Sequence, residues 1–137
     1  MDTMLVEQIV IANQLGELRR MTEWLHDSGN VMCIANDILF KLDLCANEAV
    51  ANIITHAYDD KKHHDIILEM HKTAEGTNLV IRDDGFPFNP LKMPEHELPQ
   101  GLAEAQIGGL GVHLIRRMAS RCHYRRENGF NILSLGV

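Results

Sequence analysis

The proline residues divide this chain into two blocks of regular structure. All four prolines fall between Pro87 and Pro99, and no apolar periodicity runs through residues 84–107. Proline has no N–H group to donate and its ring fixes φ, so helices and strands are expected on either side of this stretch. A loop of that length inside a compact domain is usually a functional lid or a disordered segment.

The block before the loop combines helical and extended patterns. Apolar residues recur at helical spacing in two segments, at residues 13–26 and at about 34–57. Runs rich in β-branched residues predict three strands, and the last two form a hairpin around Gly76. The three predicted strands cover residues 5–11, 65–71 and 77–82.

The block after the loop predicts one helix and a second hairpin. Three glycines open the helix at residues 112–119, and strands at 121–126 and 130–137 flank an Asn128-Gly129 turn. Across the chain, strands and helices mix without strict β–α alternation. This order favours an α+β fold, a two-layer sandwich with a mixed or antiparallel sheet and helices on one face.

Composition places the chain among soluble single-domain proteins. A length of 137 residues fits one domain, covering 1–137, and 45% hydrophobic with 23% charged residues argues against wholesale disorder. The formal net charge of −6 argues against a general nucleic-acid coat, so we expect no direct nucleic-acid partner. No window approaches the ~18 apolar residues of a membrane span, and residues 1–4 lack the basic start of a signal peptide. We therefore expect a cytoplasmic protein without a membrane partner.

The first chemically suggestive feature is a polar row on the long predicted helix, formed by Glu48, Asn52 and His56. Four-residue steps drift by only ~40° around a helix, so the three side chains share one row that borders the apolar stripe. A carboxylate and an amide at the edge of a core are costly to desolvate unless something binds them. The alternative is an amphipathic helix with incidental polar residues.

The second feature is Asp83-Asp84-Gly85-Phe86-Pro87, directly after a predicted strand. A carboxylate emerging at a strand end, followed by a glycine, suits recognition of a flat polar ligand such as a purine amino group. A hydrogen bond to a charged acceptor contributes ~1.5–3 kcal/mol, enough to select adenine over a base without that donor. The alternative is an ordinary turn, since Asp, Gly and Pro are common turn residues.

The third feature is the glycine-rich start of the last predicted helix, Gly108-Gly109-Leu110-Gly111-Val112. A helix N-terminus exposes free N–H groups and the positive end of the helix dipole, which together suit an anion. The alternative is a flexible helix entry. The chain has no G-x-x-x-x-G-K-S/T pattern, so it is not a P-loop protein.

The order and spacing of these features resemble the N, G1 and G2 boxes of the GHKL ATPase superfamily, which includes gyrase, MutL and the histidine kinases. Two motifs are similar to those of the anti-sigma-factor serine kinases of the RsbW and SpoIIAB type. They are Asp-x-Gly-x-Pro-Phe-Asn-Pro at residues 83–90 and Gly-Leu-Gly-Val-His-Leu-Ile-Arg-Arg at residues 109–117. The resemblance covers nearly the whole chain and implies a two-layer sandwich of the GHKL (Bergerat) type.

On the matching positions, the resemblance implies that the protein uses ATP and Mg²⁺. Glu48 would be the general base and Asn52 would bind Mg²⁺. Asp83 would accept from the adenine amino group, and Gly85 would leave room for the ring. Residues 84–107 would form the ATP lid. The other implied nucleotide-binding residues are Pro87, Gly109, Leu110, Gly111 and Val112.

The resemblance also implies a function in transcription regulation. The protein would sequester a sigma factor and phosphorylate a serine of a STAS-domain anti-sigma-factor antagonist, and it would form a homodimer. The expected lid contains one lysine, Lys92, as an obvious cation for the γ-phosphate, and His96 is the alternative. The alternative function is a non-catalytic, nucleotide-gated module that binds a protein partner without kinase turnover.

Overall fold

Five antiparallel strands form one sheet in the computed structural model, which describes residues 4–89 and 109–137. The strands are β1 Leu5–Ala12, β2 Asp65–Thr73, β3 Gly76–Asp83, β4 Arg121–Glu127 and β5 Phe130–Gly136. Their order across the sheet is β1-β2-β3-β5-β4. Because β5 lies between β3 and β4, the closing hairpin adds to the sheet through its second strand.

Three α-helices pack with the sheet in the described part of the chain. They are α1 Leu18–Val31, preceded by a 3-10 turn at Leu15–Glu17, α2 Asn36–His56, and α3 Gly109–Met118. Both α1 and α3 pack against α2. The helix α2 is therefore the central helix of its layer, and the polar row identified in the sequence lies on it.

The core lies between the helices and one face of the sheet. Alternate residues of the central strands, such as Leu68 and Ile81, are fully buried, while the residues between them are partly exposed. From the helix layer, Met21, Leu25 and Leu42 are fully buried against them. Each such side chain contributes about 1.5–3 kcal/mol relative to its exposed state.

The first helix extends further than its predicted end at residue 26. Ser28 and Gly29 are buried inside α1, which continues to Val31. A Cβ atom at Gly29 would collide with the side chain of Leu39, so this glycine permits the close packing of α1 on α2. The chain instead turns at Cys33, which has a φ of 56°.

The sheet confirms the predicted fold class, an α+β sandwich, with all its strands antiparallel. The second hairpin also confirms its predicted turn, because Asn128 and Gly129 have φ angles of 51° and 83°, the positive values of a type I′ turn. The predicted lid, residues 84–107, lies outside the described residues from position 90 onward. Within the described ranges, no helix combines the length and the apolar character needed to cross a membrane.

Candidate functional site

The polar row on α2 lies at the edge of the core, as its spacing predicts. Asn52 is buried, with 8% of its surface exposed, whereas Glu48 is half-buried and His56 is exposed. Ala49 and Ile53, beside the row, belong to the hydrophobic core. The helix therefore carries a carboxylate and an amide into a position that is only partly accessible to water.

Neither polar group is committed to a partner in the part of the chain that the structure describes. Among the described residues, no hydrogen bond or ion pair restrains the side chains of Glu48 and Asn52. Within the described ranges, the fully buried side-chain polar atoms without a partner belong to Trp24, Tyr58 and Arg82, so the amide atoms of Asn52 retain access to solvent and to a ligand. The row is consequently able to bind an additional molecule.

Asp83 ends β3 and is almost fully buried, with 1% of its surface exposed. Its Oδ2 accepts two hydrogen bonds, from the Gly85 N–H and from the Asn131 side-chain amide, both at 3.0 Å. Within the described residues, no hydrogen bond is made to Oδ1. One oxygen is therefore fixed by the protein, and the other can accept a hydrogen bond from a ligand.

The electrostatic balance at Asp83 combines opposing effects. Burial raises the pKa of the Asp83 carboxyl, whereas the hydrogen bonds from Asn131 and Gly85 lower this pKa. The charge of Asp84 also raises the pKa, and the charge of Arg126 lowers it. Burial is the largest of these effects, so the pKa of Asp83 is raised above its ordinary value, and the hydrogen bonds to Oδ2 oppose that rise.

Asn131, on β5, supports this carboxylate, and sequence reasoning missed it. It is buried and lies directly opposite Asp83 in the β3–β5 pairing. Its amide nitrogen also donates to the Phe86 carbonyl at 2.7 Å. Its oxygen accepts from the Tyr124 hydroxyl at 2.5 Å and from the Phe88 N–H at 3.2 Å. One side chain therefore joins Asp83 to the segment that follows it and to the edge strand.

We expect Asn131→Ala to lower the free energy of unfolding by about 1–3 kcal/mol, because it removes two donors from buried acceptors and leaves the Tyr124 hydroxyl without its acceptor. Urea denaturation measures this difference. Asn78→Ala is the matched control, since Asn78 accepts only an exposed bond from Arg121. Equal effects of the two substitutions would contradict the supporting role of Asn131.

Gly85 brings the segment after β3 against the end of α2. A Cβ atom at this position would overlap the Ala57 carbonyl oxygen and would lie 2.6 Å from the Ala57 Cβ. The Phe86 N–H donates to the same carbonyl at 2.8 Å, and Arg126 donates to the Gly85 carbonyl at 2.7 Å. The structure thus gives this glycine a packing reason that the sequence did not show; its predicted role beside a bound ring stays a prediction.

The segment after β3 also contacts the polar row of α2. The rings of His56 and Phe88 lie 6.1 Å apart, tilted by 38°. Pro87, which directly precedes Phe88, is exposed. The contact places the end of the row next to the segment that begins at Asp83.

Gly109 and Gly111 lie in the first turn of α3, which begins at Gly109 and not at the predicted Val112. The first four N–H groups of a helix have no intrahelical partner, so they are available to bind an anion. The residues that contribute these four N–H groups are Gly109, Leu110, Gly111 and Val112. Ile115, one turn later, anchors α3 in the core.

Comparison with known proteins identifies the family to which this chain belongs. The family model for histidine kinase-like ATPase domains matches residues 11–137. The serine/threonine-protein kinase BtrW of Bordetella bronchiseptica is 35% identical over 96 residues, which cover 70% of this chain and 68% of BtrW. The anti-sigma F factor of Oceanobacillus iheyensis is 27% identical over 79 residues, which cover 58% of this chain and 54% of that factor.

Two further comparisons agree with these. The serine-protein kinase RsbW of Listeria innocua is 22% identical over 96 residues, covering 67% of this chain and 61% of RsbW. The histidine kinase domain of the blue-light-activated histidine kinase EL346 from Erythrobacter litoralis has a TM-score of 0.51 at 16% identity, over 90% of this chain and 59% of that one. The structural likeness shows the fold alone. Together with the sequence matches, it confirms the resemblance: the chain belongs to the histidine kinase-like ATPase domain family, in its branch of RsbW and SpoIIAB type.

Proposed function

We propose that this protein is an ATP-dependent serine kinase and anti-sigma factor. It holds a sigma factor inactive and phosphorylates a STAS-domain antagonist, so that exchange of partners regulates transcription. The similarity to the serine/threonine-protein kinase BtrW, the anti-sigma F factor and the serine-protein kinase RsbW supports this function at the level of the family. The observation that carries the proposal is the pair of Glu48 and Asn52, one helical turn apart and both without a protein partner in the described residues.

This pair distinguishes a kinase from a module that only binds a nucleotide. Recognition of adenine requires an acceptor such as Asp83, and the phosphates require N–H donors such as those of Gly109 and Gly111. Neither task needs a carboxylate base or an oxygen ligand for a metal. Glu48 and Asn52 provide these two groups on one helix, which is the combination that phosphoryl transfer uses.

Each residue has one task in the proposed reaction. Asp83 accepts from the adenine amino group through Oδ1, and the first N–H groups of α3 bind the phosphates. Glu48 takes the proton of the serine hydroxyl as the serine oxygen attacks the γ-phosphorus. A bond from that oxygen to phosphorus forms, the bond from phosphorus to the β,γ-bridging oxygen breaks, and ADP leaves. Positioning and charge neutralisation supply most of the acceleration in such reactions.

The residues present fit a magnesium ion. Asn52 offers an amide oxygen that makes no hydrogen bond to another described residue and that keeps solvent access, and amide oxygens are ligands for hard cations. Within the described residues, no three His, Cys, Asp or Glu side chains converge on one point. A site with one protein oxygen suits Mg²⁺, which retains waters and binds substrate phosphates. When bound, the ion neutralises charge on the phosphates; Asn52 holds it and Glu48 remains available as the base.

We expect Asn52→Ala to weaken ATP binding in the presence of Mg²⁺ by at least about tenfold, because the variant lacks the oxygen that holds the ion. In EDTA, the variant and the wild-type protein should bind ATP equally. Calorimetric titration with and without Mg²⁺ makes this comparison, with Asn36→Ala at the exposed start of α2 as the control. An unchanged response to Mg²⁺ in Asn52→Ala would contradict the assignment.

Partner exchange is tested by size-exclusion chromatography of the protein with the sigma factors and STAS-domain proteins encoded beside its gene. We expect one sigma factor to co-elute when ATP is present and to be released by its unphosphorylated antagonist. The elution volume of the protein alone should correspond to a homodimer, which we propose on the resemblance to the anti-sigma-factor kinases. Absence of any nucleotide-dependent partner would overturn the anti-sigma function.

A further inference from the structure

His64 lies between two carboxylates and makes a contact through each ring nitrogen. Its Nε2 is 2.8 Å from Oδ1 of Asp60, and its Nδ1 is 3.1 Å from Oδ1 of Asp84. An ionised carboxylate only accepts hydrogen bonds, and a neutral imidazole has a single N–H to donate. Both bonds can therefore exist together only when the ring is the doubly protonated imidazolium.

The bond to Asp84 joins two separate parts of the structure, whereas the bond to Asp60 lies within one of them. Asp60 belongs to the segment 57–64 that follows α2, and Asp84 comes directly after Asp83. A cavity of about 220 Å³ lies at this junction and is lined by His64, Asp84 and Gly85 among others. Besides His64, the Phe86 N–H bond to the Ala57 carbonyl crosses the same junction. The charged His64–Asp84 hydrogen bond and the neutral Phe86–Ala57 hydrogen bond thus hold the segment after β3 to the end of α2.

The ring is held in place on its other sides. It stacks on Tyr58, with ring centroids 4.4 Å apart and an interplanar angle of 21°. Its backbone N–H donates to the Asn13 side chain at 2.9 Å, and the Asn13 N–H donates to the His64 carbonyl at 3.1 Å. The side chain is only 19% exposed. His64 therefore occupies a fixed position from which a change of charge acts directly on Asp60 and Asp84.

We propose that protonated His64 is a positioning residue: it fastens the segment carrying Asp83 to the end of α2, so that nucleotide affinity falls when the ring loses its second proton as the pH rises. This inference rests on the proposed use of Asp83 for nucleotide binding. Arg126 also holds the segment, through a hydrogen bond to the Gly85 carbonyl that does not involve His64. Loss of the His64 proton therefore loosens the segment without releasing it.

The direction of the pH effect follows from the groups around the ring. The titratable and charged groups that face it are Tyr58, Asp59 and Asp60 on its own segment, Asp84 after β3, and Arg126 on β4, with neutral Asn13 after β1. The hydrogen bond with Asp60 raises the pKa of His64 above 6.5, and the charges of Asp60 and Asp84 add to it, against the opposing effect of burial. The link is thus complete below pH 6.5 and is lost as the pH rises through the raised pKa.

Calorimetric titration of Mg²⁺-ATP between pH 6 and pH 9 tests the proposal on the wild-type protein, His64→Gln and His63→Gln. Glutamine cannot donate to two opposite carboxylates at once. His63 is the matched control, because its ring contacts Asp65 and not Asp84. We expect the ratio of wild-type to His64→Gln affinity to fall about three- to tenfold across this range, while His63→Gln follows the wild type. A ratio that is independent of pH would overturn the proposal.

Two readouts without nucleotide separate this inference from the proposed function. Nuclear magnetic resonance of the His64 ring should show protons on both nitrogens at pH 6.5, and the wild type should lose unfolding free energy relative to His64→Gln as the pH rises. A ring with one proton at pH 6.5 would refute the link even if ATP binds. Failure of the wild type to bind ATP at any pH would refute the proposed function, and the ring and unfolding measurements would still decide whether His64 fastens the segment.

Discussion

Replacing Glu48 by glutamine is expected to slow phosphoryl transfer to the partner serine by about 100- to 10,000-fold, the usual contribution of a general base. Glutamine has nearly the same shape as glutamate but cannot take the hydroxyl proton. Glu48 is half-buried and makes no hydrogen bond or ion pair to another described residue. The substitution should therefore leave the fold and the dissociation constant of ATP almost unchanged.

Single-turnover transfer and calorimetric titration of ATP measure the two expectations for Glu48→Gln separately. The matched control is Glu23→Gln, which changes an exposed carboxylate on α1 that pairs with exposed Arg19 at 3.3 Å. The control should transfer phosphate at the wild-type rate. The base assignment would be wrong if Glu48→Gln kept transfer within about tenfold of the wild type, or if its ATP affinity fell as far as its rate.

Asp83→Asn is expected to weaken ATP binding by about 10- to 100-fold, the equivalent of one hydrogen bond to a charged acceptor. The inner oxygen of Asp83 accepts from Gly85 and Asn131, so an amide at this position would turn its carbonyl inward and its NH₂ group outward. The group that faces the ligand would then change from an acceptor to a donor, and it would oppose the adenine amino group.

The same substitution should also change which nucleotide the protein prefers. ITP carries an oxygen where ATP carries the amino group, so the preference for ATP over ITP should shrink or reverse in Asp83→Asn.

The substitution also tests the stability of the fold. Burial raises the pKa of the Asp83 carboxyl, so ionisation of this carboxyl lowers the free energy of unfolding as the pH rises. The neutral amide should therefore not destabilise the fold at neutral pH. Competition titrations and thermal unfolding check both expectations, with exposed Asp27→Asn as control. An unchanged ATP preference would refute the role of Asp83.

Local chemistry explains why several features could be predicted from the sequence. The Asn128-Gly129 turn follows from two residues that tolerate positive φ, and both angles are positive in the structure. The position of Asn52 at the edge of the core follows from helical geometry and from the apolar residues beside it. These inferences depend on residues close together in the chain, where spacing alone fixes which side chains share a face.

The supporting residues could not be predicted, because distant parts of the chain create their roles. Asn131 supports Asp83 only because β5 pairs with β3 in a register that places the two residues opposite each other. An isolated asparagine on a strand gives no such indication. Gly29 likewise resembles a helix end in sequence, yet it lies within α1 because Leu39 of α2 occupies the space of its absent side chain.

Transfer of labelled phosphate from γ-labelled ATP with Mg²⁺ to the STAS-domain proteins encoded beside this gene tests the central claim most directly. We predict label on a serine of one such protein with the wild-type enzyme, and none above background with Glu48→Gln over the same time. Tight binding of Mg²⁺-ATP without transfer to any of these proteins would contradict the kinase, and would identify a nucleotide-gated binding module in its place.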